Sequence, residues 1–130
     1  MSQTPLRYVV LRHEDVVDPH FDLMVELVEG QPLATWRCAV WPLTERMRVT
    51  RLADHRREYL TYEGPISGDR GWVSRIQCGT CQIRRDPEFN SIERWTWEVF
   101  WPNQDSPEGG LLLRRWVDSD DREHWDAAPI

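Results

Sequence analysis

Apolar and polar positions alternate along most of the chain. Residues 6–12 (LRYVVLR) predict a first strand. In residues 20–28 (HFDLMVELV), Phe21, Leu23, Val25 and Leu27 fall on one face and His20, Asp22, Met24 and Glu26 on the other. That period of two is the signature of a strand. Residues 33–41 (LATWRCAVW), bounded by Pro32 and Pro42, predict a third strand, and residues 47–52 (MRVTRL) a fourth. Residues 71–86 read as a hairpin turning at Gly79-Thr80. Residues 92–101 and 111–117 supply two late strands, joined by the turn-rich PNQDSPEGG. Helical periodicity is weak and predicts one short helical turn over 53–60 (ADHRREYL). Many short strands separated by turn signals predict an all-β fold, a small, mostly antiparallel β-barrel. The barrel domain is expected over residues 1–117. Residues 118–130 are expected to form a loosely ordered acidic tail, with Trp125 available to dock it.

Composition narrows the chemistry. A length of 130 residues suits one domain with its own core. No apolar run approaches the ~20 residues of a membrane span. The N-terminal MSQTPLRYVV lacks the basic region and apolar core of a signal peptide, so a cytoplasmic location without a membrane partner is expected. The net charge of −6 argues against broad electrostatic attraction to nucleic acid. A phosphate ligand would have to be held locally, by a metal or by clustered arginines. All 16 basic side chains are arginine, which excludes chemistry through a lysine amine. Arginine suits bidentate phosphate contacts, although a bias in genome composition is the simpler account of the count. Cys38, Cys78 and Cys81 are an odd set for a disulfide framework. Cys78-Gly79-Thr80-Cys81 has C-x-x-C spacing but no second pair for zinc, so a hairpin turn is its simpler reading.

Candidate chemistry gathers on the second strand. His20 and Asp22, at i and i+2, project to one side ~6.6–6.8 Å apart along the chain. His13 ends the preceding strand, and the short EDVVDP connection allows an antiparallel return that brings it beside His20. Two imidazoles and a carboxylate form a facial set that suits Mn²⁺, Fe²⁺ or Zn²⁺ better than Ca²⁺ or Mg²⁺. The alternative is a polar face with ordinary hydrogen bonds. In residues 54–68 (DHRREYLTYEGPISG), His55 and Tyr59 lie four apart, and one helical turn would put them on one side. Near a metal they would donate to a bound phosphate; otherwise they belong to a packed turn.

Together these motifs resemble the 3′-phosphoesterase domain of the bacterial end-joining enzyme DNA ligase D. That family carries H-x₅–₆-H-[YF]-D-[FL]-x-[LV]-E on a strand, and this chain has His13 followed by His20-Phe21-Asp22-Leu23-Met24-Val25-Glu26. A downstream D-H-x-x-x-Y-x-x-[FY]-E-G-x-I-x-x-G pattern is met by Asp54, His55, Tyr59, Tyr62, Glu63, Gly64, Ile66 and Gly68. Trp36 matches a tryptophan after the second strand. The similarity covers about residues 7–86.

The resemblance implies a Mn²⁺-dependent activity that removes a 3′-phosphate or 3′-ribonucleotide and leaves a 3′-hydroxyl for DNA end repair. Zn²⁺ or another divalent ion is an alternative. By the same resemblance, His13, His20 and Asp22 would be the metal ligands, and His55 and Tyr59 would contact the scissile phosphate. The partners would be DNA or RNA–DNA 3′ ends, together with an end-joining ligase or polymerase. The chain also departs from the pattern. Where the family has a phosphate-binding arginine, this chain has Met24, and a family lysine has no counterpart. Arg12, Arg37, Arg48 and Arg51 are candidate substitutes on neighbouring strands, and Glu26 and Glu63 lie near the expected site. Two alternatives follow: a catalytically weak relative that binds a nucleic-acid end, a nucleotide or a protein partner, and a cupin-like oxygenase using the same facial triad.

Overall fold

The computed structural model describes residues 6–14, 16–66, 70–85, 95–100 and 110–129. It is nearly all β. The strands are β1 (Leu6–Glu14), β2 (His20–Val25), β3 (Leu33–Cys38), β4 (Met47–His55), β5 (Gly64–Pro65), β6 (Trp72–Arg85), β7 (Trp95–Phe100), β8 (Gly110–Val117) and β9 (Glu123–Pro129). Among the described residues a single 3-10 turn, Arg57–Leu60, interrupts them. All recorded strand pairs are antiparallel.

The sheet order is β1-β2-β3-β4-β9-β8-β7-β6-β5, with β1 also pairing with β6. "Barrel" describes it only loosely. β4 pairs with β3 through its later residues and with β9 through Met47–Val49. β6 pairs with β1 over residues 72–81 and with β7 over residues 82–85. Two sheet halves therefore meet along strands they share. Among the described residues no helix is long and apolar enough to cross a membrane.

The sheet half containing β1, β2 and β3 buries both of its faces. Tyr8, Val10, Leu23, Val25, Ala34, Trp36 and Cys38 point inward and meet Leu111, Leu113, Trp125 and Ala127 from the other half. The rings of Trp36 and Trp125 meet edge-on at 5.4 Å, a favoured aromatic geometry. Val9, Leu11, Met24, Leu33 and Val73 point outward and form a second cluster with Leu60. Tyr59, Tyr62 and Ile66 pack over them. The segment from Arg57 to Ile66 is thus a cover on the outer face.

Three expectations are corrected. Gly79-Thr80 is not a turn, because β6 runs straight through it. Gly79 pairs with Tyr8, and a Cβ there would lie 3.4 Å from Tyr8 Cε1, so this glycine leaves room for a ring. Cys78 is exposed and Cys81 buried, three residues apart on opposite faces of one strand. The expected tail is not loose either. After a turn held by Asp118, Glu123–Pro129 forms β9 between β8 and β4. Trp125 and Ala127, two apart, both face the core, so the period of two holds beneath the acidic residues. The turn expected within 53–60 is present but shorter, and His55 belongs to β4 rather than to that turn. Gly68, residues 92–94 and most of PNQDSPEGG lie outside the described residues.

Trp125→Ala should destabilise the fold by about 3–5 kcal/mol, the range for deleting a buried aromatic, as measured by urea unfolding. An exposed tail residue would shift the midpoint by far less.

Candidate metal centre

The register of β1 against β2 builds the site. His13 pairs directly with His20, and Leu11 with Asp22. On β2, His20 and Asp22 share the outward face. His20 Nε2 lies 3.1 Å from His13 Nδ1 and 3.5 Å from Asp22 Oδ2. One ligand atom from each of the three residues lies within 4.8 Å of the other two. The Asp22 carboxylate is only 6% exposed, and a buried carboxylate must be compensated. Arg37, its direct partner on β3, places Nε 3.4 Å from Oδ1.

Backbone carbonyls fix the outer nitrogens. His20 Nδ1 lies 2.8 Å from Asp18 O, and His13 Nε2 contacts Arg70 O. A carbonyl only accepts, so each of these nitrogens carries the ring proton in the neutral form. The remaining nitrogens, His13 Nδ1 and His20 Nε2, then face each other as lone pairs. A proton on either ring or a metal ion between them satisfies such a contact. Carbonyl-held imidazoles are the usual support of metal ligands. Donors bound to one ion at ~2.0–2.2 Å stand roughly 3.0–3.5 Å apart, which matches the His13–His20 and His20–Asp22 separations. The donor set therefore fits a divalent transition-metal ion.

Gly71 makes the Arg70 contact possible. Its φ is +92°, and a Cβ there would fall 2.3 Å from Glu14 O, 2.7 Å from Val16 Cγ1 and 3.2 Å from His13 Nε2. Only glycine lets the backbone pass this close. The carbonyls of Asp18 and Arg70 are site features that residue-type reasoning missed; the glycine after Arg70 was the available signal.

The other candidates divide. His55 pairs with Leu33 and shares the outward face, but it lies two strands over and about four residues along from Asp22, roughly 16 Å by strand spacings. Tyr59 meets His55 at 5.8 Å between ring centroids and packs on the outer apolar cluster. These two form a second group across the face from the triad. Met24, between the groups, is 2% exposed and packed among apolar side chains. Of the four candidate arginines only Arg37 reaches the triad. Arg12 lies on the opposite face of β1 and pairs with Glu14. Arg48 pairs with Asp126 and stacks on Trp116 in the other sheet half. Arg51 lies over Trp36 and bonds Asp54. Glu63 accepts from the Arg75 backbone N–H.

Glu26 serves the scaffold. It accepts from the backbone N–H groups of Arg7 and Gly30 and pairs with Arg57, tying β1, the β2 end and the 3-10 turn together. Burial works to raise its carboxyl. The N–H of Gly30, Arg57 and the N–H of Arg7 outweigh that and hold it below its ordinary value. Two thiols are pushed up to about 12, Cys38 by burial and then the Asp22 charge, Cys81 by burial and then the Glu26 charge. Burial thus keeps both thiols protonated at neutral pH and makes them poor nucleophiles.

Compared with protein-family models and with curated proteins, the chain matches none.

Gly71→Ala should push the Arg70 carbonyl off His13, and any Mn²⁺ affinity of the triad, read by calorimetry, should fall ten-fold or more, the usual cost of losing a ligand's support. Glu26→Gln should cost roughly 1–3 kcal/mol at pH 7. Because the folded-state carboxyl of Glu26 titrates below its ordinary 4.5, its contribution is complete above that pH. It is lost as the pH falls through the lower, folded-state value. The gap between wild type and variant in unfolding experiments should close over that acid window and not at neutral pH.

Proposed function

We propose that this chain is a metal-dependent phosphoesterase acting on nucleic-acid 3′ ends, with Mn²⁺ or a similar divalent ion as cofactor. The observation that carries the reading is the convergence of His13 Nδ1, His20 Nε2 and Asp22 Oδ2, with both imidazoles held by backbone carbonyls. The resemblance to the ligase D phosphoesterase domain adds the substrate class and the link to DNA end repair. His13, His20 and Asp22 would hold the ion. A divalent ion bound there would neutralise charge on a phosphoryl group and polarise it toward attack by water.

The remaining work falls to the chain's own side chains. Arg37, anchored to Asp22 through Nε, keeps two further guanidinium nitrogens for an oxyanion. It would take the part that Met24 lacks the chemistry to play. His55 and Tyr59, in the second group across the face, would hold the nucleotide on the side away from the ion, with His55 offering a hydrogen bond or a proton there.

The burial of Met24 favours one second reading: a weak or inactive relative that binds a 3′ end, a nucleotide or a partner protein without turnover. Met24 sits where an arginine would face phosphate, and the structure closes that position with apolar packing.

Purified protein with Mn²⁺ should convert a 3′-phosphate primer end to a 3′-hydroxyl. His20→Ala should abolish the conversion, and Arg37→Ala should slow it by roughly two orders of magnitude, the value of one charge-assisted contact. End binding with no turnover above the His20→Ala background, across several divalent metals, would leave the second reading in place.

A further inference from the structure

Beside the metal centre lies a groove of about 220 Å³, lined by Arg56, Glu58, Tyr59, Tyr62, Pro65, Ile66 and Arg70. The two share one residue: Arg70 lines the groove, and its carbonyl accepts from His13. We propose that this groove is the subsite for the base of the 3′-terminal nucleotide, whose phosphate the metal centre holds. The proposal rests on the phosphoesterase reading and adds what recognises the end.

Three features argue for a nucleobase. The first is size. The groove is smaller than the ~300–1,000 Å³ of sites for larger ligands, and it suits one flat ring system. The second is its walls. Tyr59 and Tyr62 stand nearly perpendicular, with ring centroids 6.0 Å apart. A flat ligand can lie against one ring and meet the other edge-on, and aromatic walls accept any base because every base has a π-face. Tyr62 is set in place: its hydroxyl donates to Pro65 O. Its hydroxyl also lies over Gly64, where φ is +136° and a Cβ would come within 3.2 Å. The third feature is the rim. Arg56 and Glu58, both exposed, pair at 2.8 Å there, offering donors and an acceptor to base edges. A protein of net charge −6 gains little from a long phosphate backbone. Recognition confined to the last nucleotide is consistent with that charge.

The test uses short single-stranded oligonucleotides with a 5′ dye and a 3′-phosphate, differing only in whether the last residue carries a base or is abasic. Binding is read by fluorescence anisotropy and turnover by product analysis, both with Mn²⁺ and unaltered protein. The base-bearing end should bind about ten-fold more tightly, the value of one base–aromatic stack, and its KM should be lower by a similar factor at near-equal kcat. Tyr62→Leu, which keeps an apolar side chain on the outer cluster, should erase the difference between the two ends. Equal affinity and equal KM for the two ends would overturn the subsite while leaving the phosphoesterase reading intact. Base-dependent binding without turnover would support the subsite and count against hydrolysis. Failure of both ends to bind and to react would overturn both.

Discussion

The pairing register of β1 and β2 is the constraint on which the site and the core both depend. Setting His13 opposite His20 aligns the two imidazoles on the outward face and Val10 with Leu23 on the inward face. Because side chains alternate with a period of two, a slip of one residue would turn both faces over. If β2 slipped, Leu23 would leave the core while Val10 stayed, and the histidines would no longer share a face. Hydrophobic burial on one side thus fixes ligand geometry on the other. The Glu26 carboxylate reinforces the same register by accepting from the Arg7 and Gly30 N–H groups.

That outward face is unusual in being apolar next to a cluster of ionisable groups. Met24 and Leu11 adjoin Asp22 in the strands, and the Tyr59–Ile66 cover seals them. The dielectric around the triad is lowered on that side, which strengthens electrostatic interactions with any ion or phosphate that enters. The same cover forms the groove wall. One segment therefore both closes the outer layer and shapes the surface that a ligand would meet.

Much of this was legible along the chain, and the failures have physical causes. β1 to β4 follow the alternation directly, and the His13, His20 and Asp22 set follows from i, i+2 spacing plus a short connection. Gly79-Thr80 misled because a glycine that makes room for Tyr8 is indistinguishable, in sequence, from one that turns a chain. Asp118–Glu123 misled because acidic residues mask the alternating Trp125 and Ala127 of a strand. His55 was placed near Tyr59, and they do touch, but through the end of β4 and a 3-10 turn rather than through one helical turn. Arg37 was one of four candidates, since the choice among them depends on cross-strand register, which local pattern does not carry.

The irregularity in β6 has a consequence for chain length. Val10 pairs with Gln77 and Leu11 with Arg75, so Ile76 is an extra residue against β1 and is left 43% exposed. This bulge shifts the strand's parity. Val73 and Arg75 face the cover, while Gln77 turns inward to bond both Tyr8 and Trp41. A single-residue insertion or deletion elsewhere in residues 72–81 would reverse one of those two orientations. At Ile76 the removal of one residue would let β6 pair continuously with β1 and leave both flanking faces as they are. Relatives whose β6 differs by one residue should carry the gap there.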